Sequence, residues 1–162
     1  MKLYFLRHAT ASEIAVSDAE RELTKEGEQE AHIAGAALVE LGVKPAHVLS
    51  SPLLRTCRTA EIAAKELKFS SDVELIDELK NDTSTNALVK RLKSCGRPNE
   101  ILLVGHMPSL SVHIAALIGA QSAQGLPLGT ASVACVELPD LRMGTGQLRW
   151  LMQQKQLRKI AR

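Results

Sequence analysis

The chain has 162 residues, 45% of them apolar and 23% charged, with a formal net charge of +2 at pH 7. That length suits one domain over residues 1–162 with a real core. The near-neutral charge, with one Trp, one Tyr and two Phe, leaves no footprint for nucleic acid. No apolar run approaches the roughly 18 residues that span a bilayer, and the run before Arg7 is too short for a secretory leader. Cys57, Cys95 and Cys135 are odd in number and widely spaced, which fits free thiols in a reducing compartment better than a disulfide or zinc framework. A cytoplasmic location with no membrane partner is expected.

The first predicted element is a strand from Lys2, which ends abruptly in Arg7-His8 and two small residues, Ala9 and Thr10. Ser12–Glu22 is polar and aperiodic, a loop. Thr24 is placed to cap a helix whose apolar or small positions include Ala31, Ala34, Leu38 and Leu41, closed by Gly42 with Pro45 beyond. His47–Ser51 reads as a short strand. Pro52 then suits the first position of a helix capped by Ser51, with Arg55 in its first turns. Val73–Ile76 is a weak strand, Asp77–Ser84 is irregular, and a helix is expected from Thr85 to Cys95.

Glu100–Val104 is the clearest buried strand, an almost unbroken apolar run that ends in Gly105-His106-Met107-Pro108. An apolar helix over Ser109–Gly119, a loop over Gln121–Gly129 and strands over Ala131–Leu138 and Gln147–Met152 come next. Gln153–Arg162 reads as a short terminal helix whose basic residues are solvated. Strand–helix alternation argues an α/β sandwich with a mostly parallel sheet. The last two strands, joined by a turn, suit an antiparallel edge.

Three segments put basic groups just past a strand: Arg7 and His8, Arg55 after Ser50-Ser51-Pro52, and His106 after Val104-Gly105. Taken alone, Arg7-His8 reads as a strand cap with solvated charges, and His106 as a structural histidine. If the strands are parallel neighbours, the groups converge at one carboxyl edge, where α/β sheets bind ligands. Two guanidiniums and two imidazoles there would repel unless an anion sat between them, and phosphate matches the fork of Arg.

Arg7-His8, the string from Ser50 to Ala60, and Val104-Gly105-His106-Met107-Pro108 resemble, in order, the three signatures of the histidine phosphatase superfamily. The small size and the Arg21–Gly27 string resemble its SixA-type phosphohistidine phosphatase branch. The resemblance implies a three-layer, phosphoglycerate mutase-like fold with helices on both faces of the sheet. It implies His8 as a nucleophile that carries the phosphoryl group, with Arg7, Arg55 and His106 holding the non-bridging oxygens. Arg21 would line the mouth, and Arg58 could face either way. The expected activity is that of a phosphohistidine protein phosphatase without metal or other cofactor. Its partner would be a histidine-phosphorylated carrier or phosphorelay protein.

Two departures stand out. Ala9 occupies a position where the family pattern has Gly. The general acid of larger members has no clear counterpart; Glu78 and Asp82 are the available carboxylates, and the SixA branch is thought to manage without one. Other phosphate sites are poorly matched. The residues six beyond the three cysteines are Ala63, Ile101 and Leu141, not the Arg of a cysteine phosphatase. No Walker loop, dinucleotide fingerprint or metal-ligand motif occurs. A phosphatase for small phosphate esters and a non-catalytic phosphate-binding module are the alternatives.

Overall fold

The computed structural model describes residues 1–161, so the end of the expected terminal helix at Arg162 lies outside the described residues. Six strands, β1 (Lys2–Arg7), β2 (His47–Ser50), β3 (Glu74–Leu75), β4 (Glu100–Gly105), β5 (Val133–Glu137) and β6 (Gln147–Met152), form one sheet in the order β3-β2-β4-β1-β5-β6. The first four are mutually parallel. β5 runs antiparallel to both β1 and β6, which gives the expected antiparallel edge.

Helices α1 (Lys25–Glu40), α2 (Leu54–Glu66), α3 (Thr85–Lys93), α4 (Ser109–Ile118) and α5 (Gln154–Ile160) cover both faces. Side chains alternate across a strand, so β1 and β4 each feed two cores. Leu3, Phe5, Ile101 and Leu103 pack with Leu88 and Leu92 of α3 and with Leu110 and Ile114 of α4. Tyr4, Leu6, Leu102 and Val104 pack with Ala34 and Leu38 of α1, Ala60 and Ala63 of α2, and Leu157 of α5. Both faces of the central strands are therefore apolar, as the run in β4 requires.

Two local features shape the carboxyl edge of the sheet. Thr24 caps α1 as expected, its Oγ1 accepting the N–H of Gly27 at 3.0 Å. Gly27 is required by a close approach: a Cβ there would lie 2.0 Å from the carbonyl oxygen of Thr10. The first turn of α1 is thus pressed against the backbone that carries the end of β1. The second feature corrects an expectation. Ser51 does not cap α2, and Pro52 is not in its first turn, because the helix opens at Leu54 with Leu53 before it. The Ser51 N–H continues the sheet pairing to Val104 O at 3.0 Å, and its hydroxyl is engaged elsewhere. No helix among the described residues is long and apolar enough to cross a membrane.

Candidate active site

The strand order puts β2, β4 and β1 side by side, and their registers end together. Arg7 pairs with Gly105, and Ser50 with Val104. The residues just beyond, His8, Ser51 and His106, therefore meet at one carboxyl edge. The rings of His8 and His106 lie 5.3 Å apart between centroids, tilted by 58°. Both histidines are buried, as is Arg55.

The protonation of each ring is set by its partners. His8 Nδ1 is 2.8 Å from the carbonyl oxygen of Ala9. A carbonyl only accepts, so Nδ1 carries the proton and Nε2 keeps its lone pair. His106 Nδ1 faces Nη2 of Arg55 at 3.5 Å. A guanidinium only donates, so this nitrogen is the acceptor and Nε2–H donates to Ser51 Oγ at 2.8 Å. Burial pushes the His8 imidazole down to about 4; the Ala9 carbonyl opposes this and the charges of Arg55, Arg7 and Arg21 reinforce it. His106 is likewise lowered to about 4 by burial first, then by His8 and Arg55. Both rings are neutral in the free protein at pH 7.

A scaffold of buried polar groups fixes the loop after β1. The Ala9 N–H donates to Thr59 Oγ1 at 3.0 Å, and Thr59 in turn donates to the Arg55 carbonyl at 2.7 Å. Ala9 itself is fully buried, so the methyl group at the family's glycine position is accommodated within the core. Glu30 of α1 accepts both the N–H and the hydroxyl of Thr10 at 2.9 Å. Arg7 Nη1 donates to Leu128 O at 2.9 Å. The Nε atoms of Arg7 and Arg55 are buried without a protein acceptor.

Arg55 is gripped by a residue from the polar segment between β1 and α1. Asp18, in a 3-10 turn over Asp18–Glu20, accepts from Nη1 with its carbonyl at 2.7 Å and from Nη2 with Oδ2 at 3.1 Å. The hydrogen bond from Arg55 holds the Asp18 carboxyl below the usual carboxylate range. Arg21 lies beside it, with Nε donating to Ser12 O at 2.8 Å and Nη1 3.4 Å from Asp18 Oδ1.

The structure therefore brings together Arg7, His8, Arg55 and His106, with Arg21 at the rim. Arg58 faces out and pairs with Glu28 at 3.1 Å. The segment of the two candidate acids lies against the end of β4, with the Leu79 carbonyl 3.2 Å from where a Gly105 Cβ would sit and Asn81 Nδ2 donating to Met107 O at 3.0 Å. The side chains of Glu78 and Asp82, however, make no hydrogen bond or ion pair among the described residues. Asp82 contributes its backbone N–H to Ser109 Oγ instead. His32, His47 and His113 have structural partners in Glu66, Glu74 and Thr85. Sequence reasoning misses Asp18, Ser51, Thr59 and Glu30 as members of the site. Only Ser51 carries a usable signal, a serine at a strand end before proline, and that signal points just as well to a helix cap. Among the described residues no three His, Cys, Asp or Glu side chains group as metal donors.

Residues 3–82 match the family model of the histidine phosphatase superfamily (branch 1). Phosphohistidine phosphatase SixA of Escherichia coli K12 is 30% identical over 156 residues, covering 94% of this chain and 93% of that one. An uncharacterized protein of Picosynechococcus is 33% identical over 154 residues, covering 92% and 89%. The solved structure of the protein histidine phosphatase SixA complexed with tungstate superposes with a TM-score of 0.88 at 26% identity, covering 97% of this chain and 99% of that one. With Arg-His at the end of β1, a second arginine at the start of α2 and a second histidine after β4, the chain belongs to the histidine phosphatase superfamily and is of the SixA type.

Proposed function

We propose that this phosphatase hydrolyses phosphohistidine on a protein, through a phosphorylated His8 and without a metal ion. His8 Nε2 attacks phosphorus while the bond to the substrate imidazole breaks. The substrate ring leaves neutral when its other nitrogen carries a proton. Arg7, Arg55 and His106 hold the non-bridging oxygens, and Arg21 adds positive charge at the mouth. Water then adds to phosphorus, and phosphate departs with the water's oxygen. His8 is released as the same neutral ring, its Nδ1–H still on Ala9 O. The incoming dianion favours protonation of His106, whose Nδ1 lone pair faces the site.

One observation carries the choice of substrate. No carboxylic acid is held by a hydrogen bond in a position to donate a proton: the side chains of Glu78 and Asp82 have no partner among the described residues, and Asp18 is kept ionised by Arg55. An alkoxide leaving group needs such a proton, commonly worth about 10²–10⁴-fold in rate. A departing imidazole does not. The segment that carries Asp18 also favours a large substrate, since it bears Ile14 and Val16, 92% and 98% exposed. The SixA relative was solved in complex with tungstate, an oxyanion, which supports an oxyanion ligand for this chain as well. The partner is then a histidine-phosphorylated carrier or phosphorelay protein. Three free thiols fit a reducing, cytoplasmic compartment.

The test compares kcat/KM for a phosphohistidine protein, p-nitrophenyl phosphate and a sugar phosphate, with chelator present throughout. The phosphohistidine protein should lead, and Glu78→Gln and Asp82→Asn should each change its turnover by less than about threefold, far below the effect of losing a general acid. A faster sugar phosphate would favour the small-ester reading. No turnover of any of the three would favour a binding module.

A further inference from the structure

The segment from Ala11 to Leu23 is closed at its base and open at its tip. Ala11 and Leu23 form an antiparallel bridge, Ser12 N–H donates to Glu22 O at 2.8 Å, and Arg21 Nε donates to Ser12 O at 2.8 Å. From this segment Asp18 reaches into the site. Its two oxygens, one backbone and one carboxylate, stand at the two terminal nitrogens of Arg55. A guanidinium binds two oxygens of a phosphoryl group in the same bidentate manner.

The pair is lopsided. The Arg55 side chain is 7% exposed and the Asp18 side chain 67%. The cation is anchored in the core, whereas its partner needs little more hydration to let go. An ion pair with one exposed member is weak, and a dianionic ligand offers Arg55 more charge than one carboxylate.

We infer that Asp18 is a specificity-determining residue: in the free protein it occupies Nη1 and Nη2 of Arg55, and a phosphoryl group that binds those two nitrogens displaces it. This inference rests on the phosphatase reading of the site. Free phosphate gains only the difference between its own hold on Arg55 and that of Asp18, so it is retained weakly after hydrolysis. A phosphoryl group borne by a protein brings further contacts to the Asp18 segment, where Ile14 and Val16 are exposed, and these offset the displacement. Asp18 therefore sets the site against the small product and leaves it open to the large substrate.

The experiment measures, by calorimetry, the dissociation constants of orthophosphate and tungstate for the wild type, Asp18→Asn and Glu13→Gln. Glu13 is a carboxylate on the same segment with no hydrogen bond or ion pair to Arg55, and its variant controls for net charge alone. Thermal melting confirms that both variants fold. Asp18→Asn should bind both ions about tenfold more tightly than the wild type, and Glu13→Gln should change binding by less than about twofold, the range of a screened surface charge. Unchanged or weaker binding by Asp18→Asn overturns the inference, since Asp18 then merely orients Arg55. Equal tightening by Glu13→Gln overturns it too. Failure of all three proteins to bind either ion is a separate outcome, which removes the phosphatase reading itself.

Discussion

The ring of His8 is oriented by the residue next to it in the chain: Nδ1 lies 2.8 Å from the carbonyl oxygen of Ala9. That bond leaves Nε2 as the nitrogen with a free lone pair, and it uses a ring nitrogen that phosphorylation of Nε2 does not touch. In the proposed reaction the nucleophile and the leaving group of the second step are therefore the same tautomer, with no ring rotation or proton relay between steps.

The phosphoenzyme should accordingly be phosphorylated on Nε2 and not on Nδ1. Rapid quench in base should trap an acid-labile, base-stable adduct, and nuclear magnetic resonance should place phosphorus on Nε2. His8→Ala should abolish both the adduct and turnover. An acid-stable ester, or phosphorus on Nδ1, would contradict the assignment.

Activity should persist well below the ordinary titration range of histidine. Burial, with Arg55, Arg7 and Arg21 nearby, holds His8 at about 4, so the free base required for attack survives to that pH. After correction for the substrate's own titration, the acid limb of kcat/KM should fall near pH 4. A limb near about 6.5, the unperturbed value, would mean that the ring is solvated in solution.

Stability should show its own acid limb, to which His113, outside the site, contributes alongside His8 and His106. His113 is fully buried in α4, with Nδ1 2.8 Å from Thr85 Oγ1 and Nε2 without a partner. Burial lowers it to about 4. As pH falls from 6.5 to 4 the unfolded chain takes up a proton that the folded ring refuses, and unfolding free energy falls through that window. The loss at this residue is on the order of 3 kcal/mol across the window. Denaturant midpoints measured from about pH 7 to 4 should drop less steeply in His113→Gln than in the wild type. An unchanged slope would show that His113 does not titrate on unfolding.

The elements were largely legible because their signals are local. The apolar run of β4, the Thr24 cap and the left-handed Gly119 after α4 each depend on a few consecutive residues. The mistaken cap at Ser51 shows the limit of such signals. Serine before proline fits a helix start equally well whether its hydroxyl caps the helix or meets His106, 55 positions away.

The chemical groups of the site, and the strand ends that carry them, are written in the chain: Arg7 and His8, Arg55, and His106, each just past a predicted strand. Strand period and turn residues suffice to locate them, since both act over one or two turns of chain. That β2, β4 and β1 are neighbours in matching register, and hence that these groups share one cleft, is settled only by the folded sheet. The same holds for the Asp18 carboxylate on Arg55 and the Glu30 carboxylate under Thr10, contacts spanning 37 and 20 positions. Such pairings arise when two helical layers and a sheet close on a common core, and no local spacing encodes which polar side chains that closure brings together.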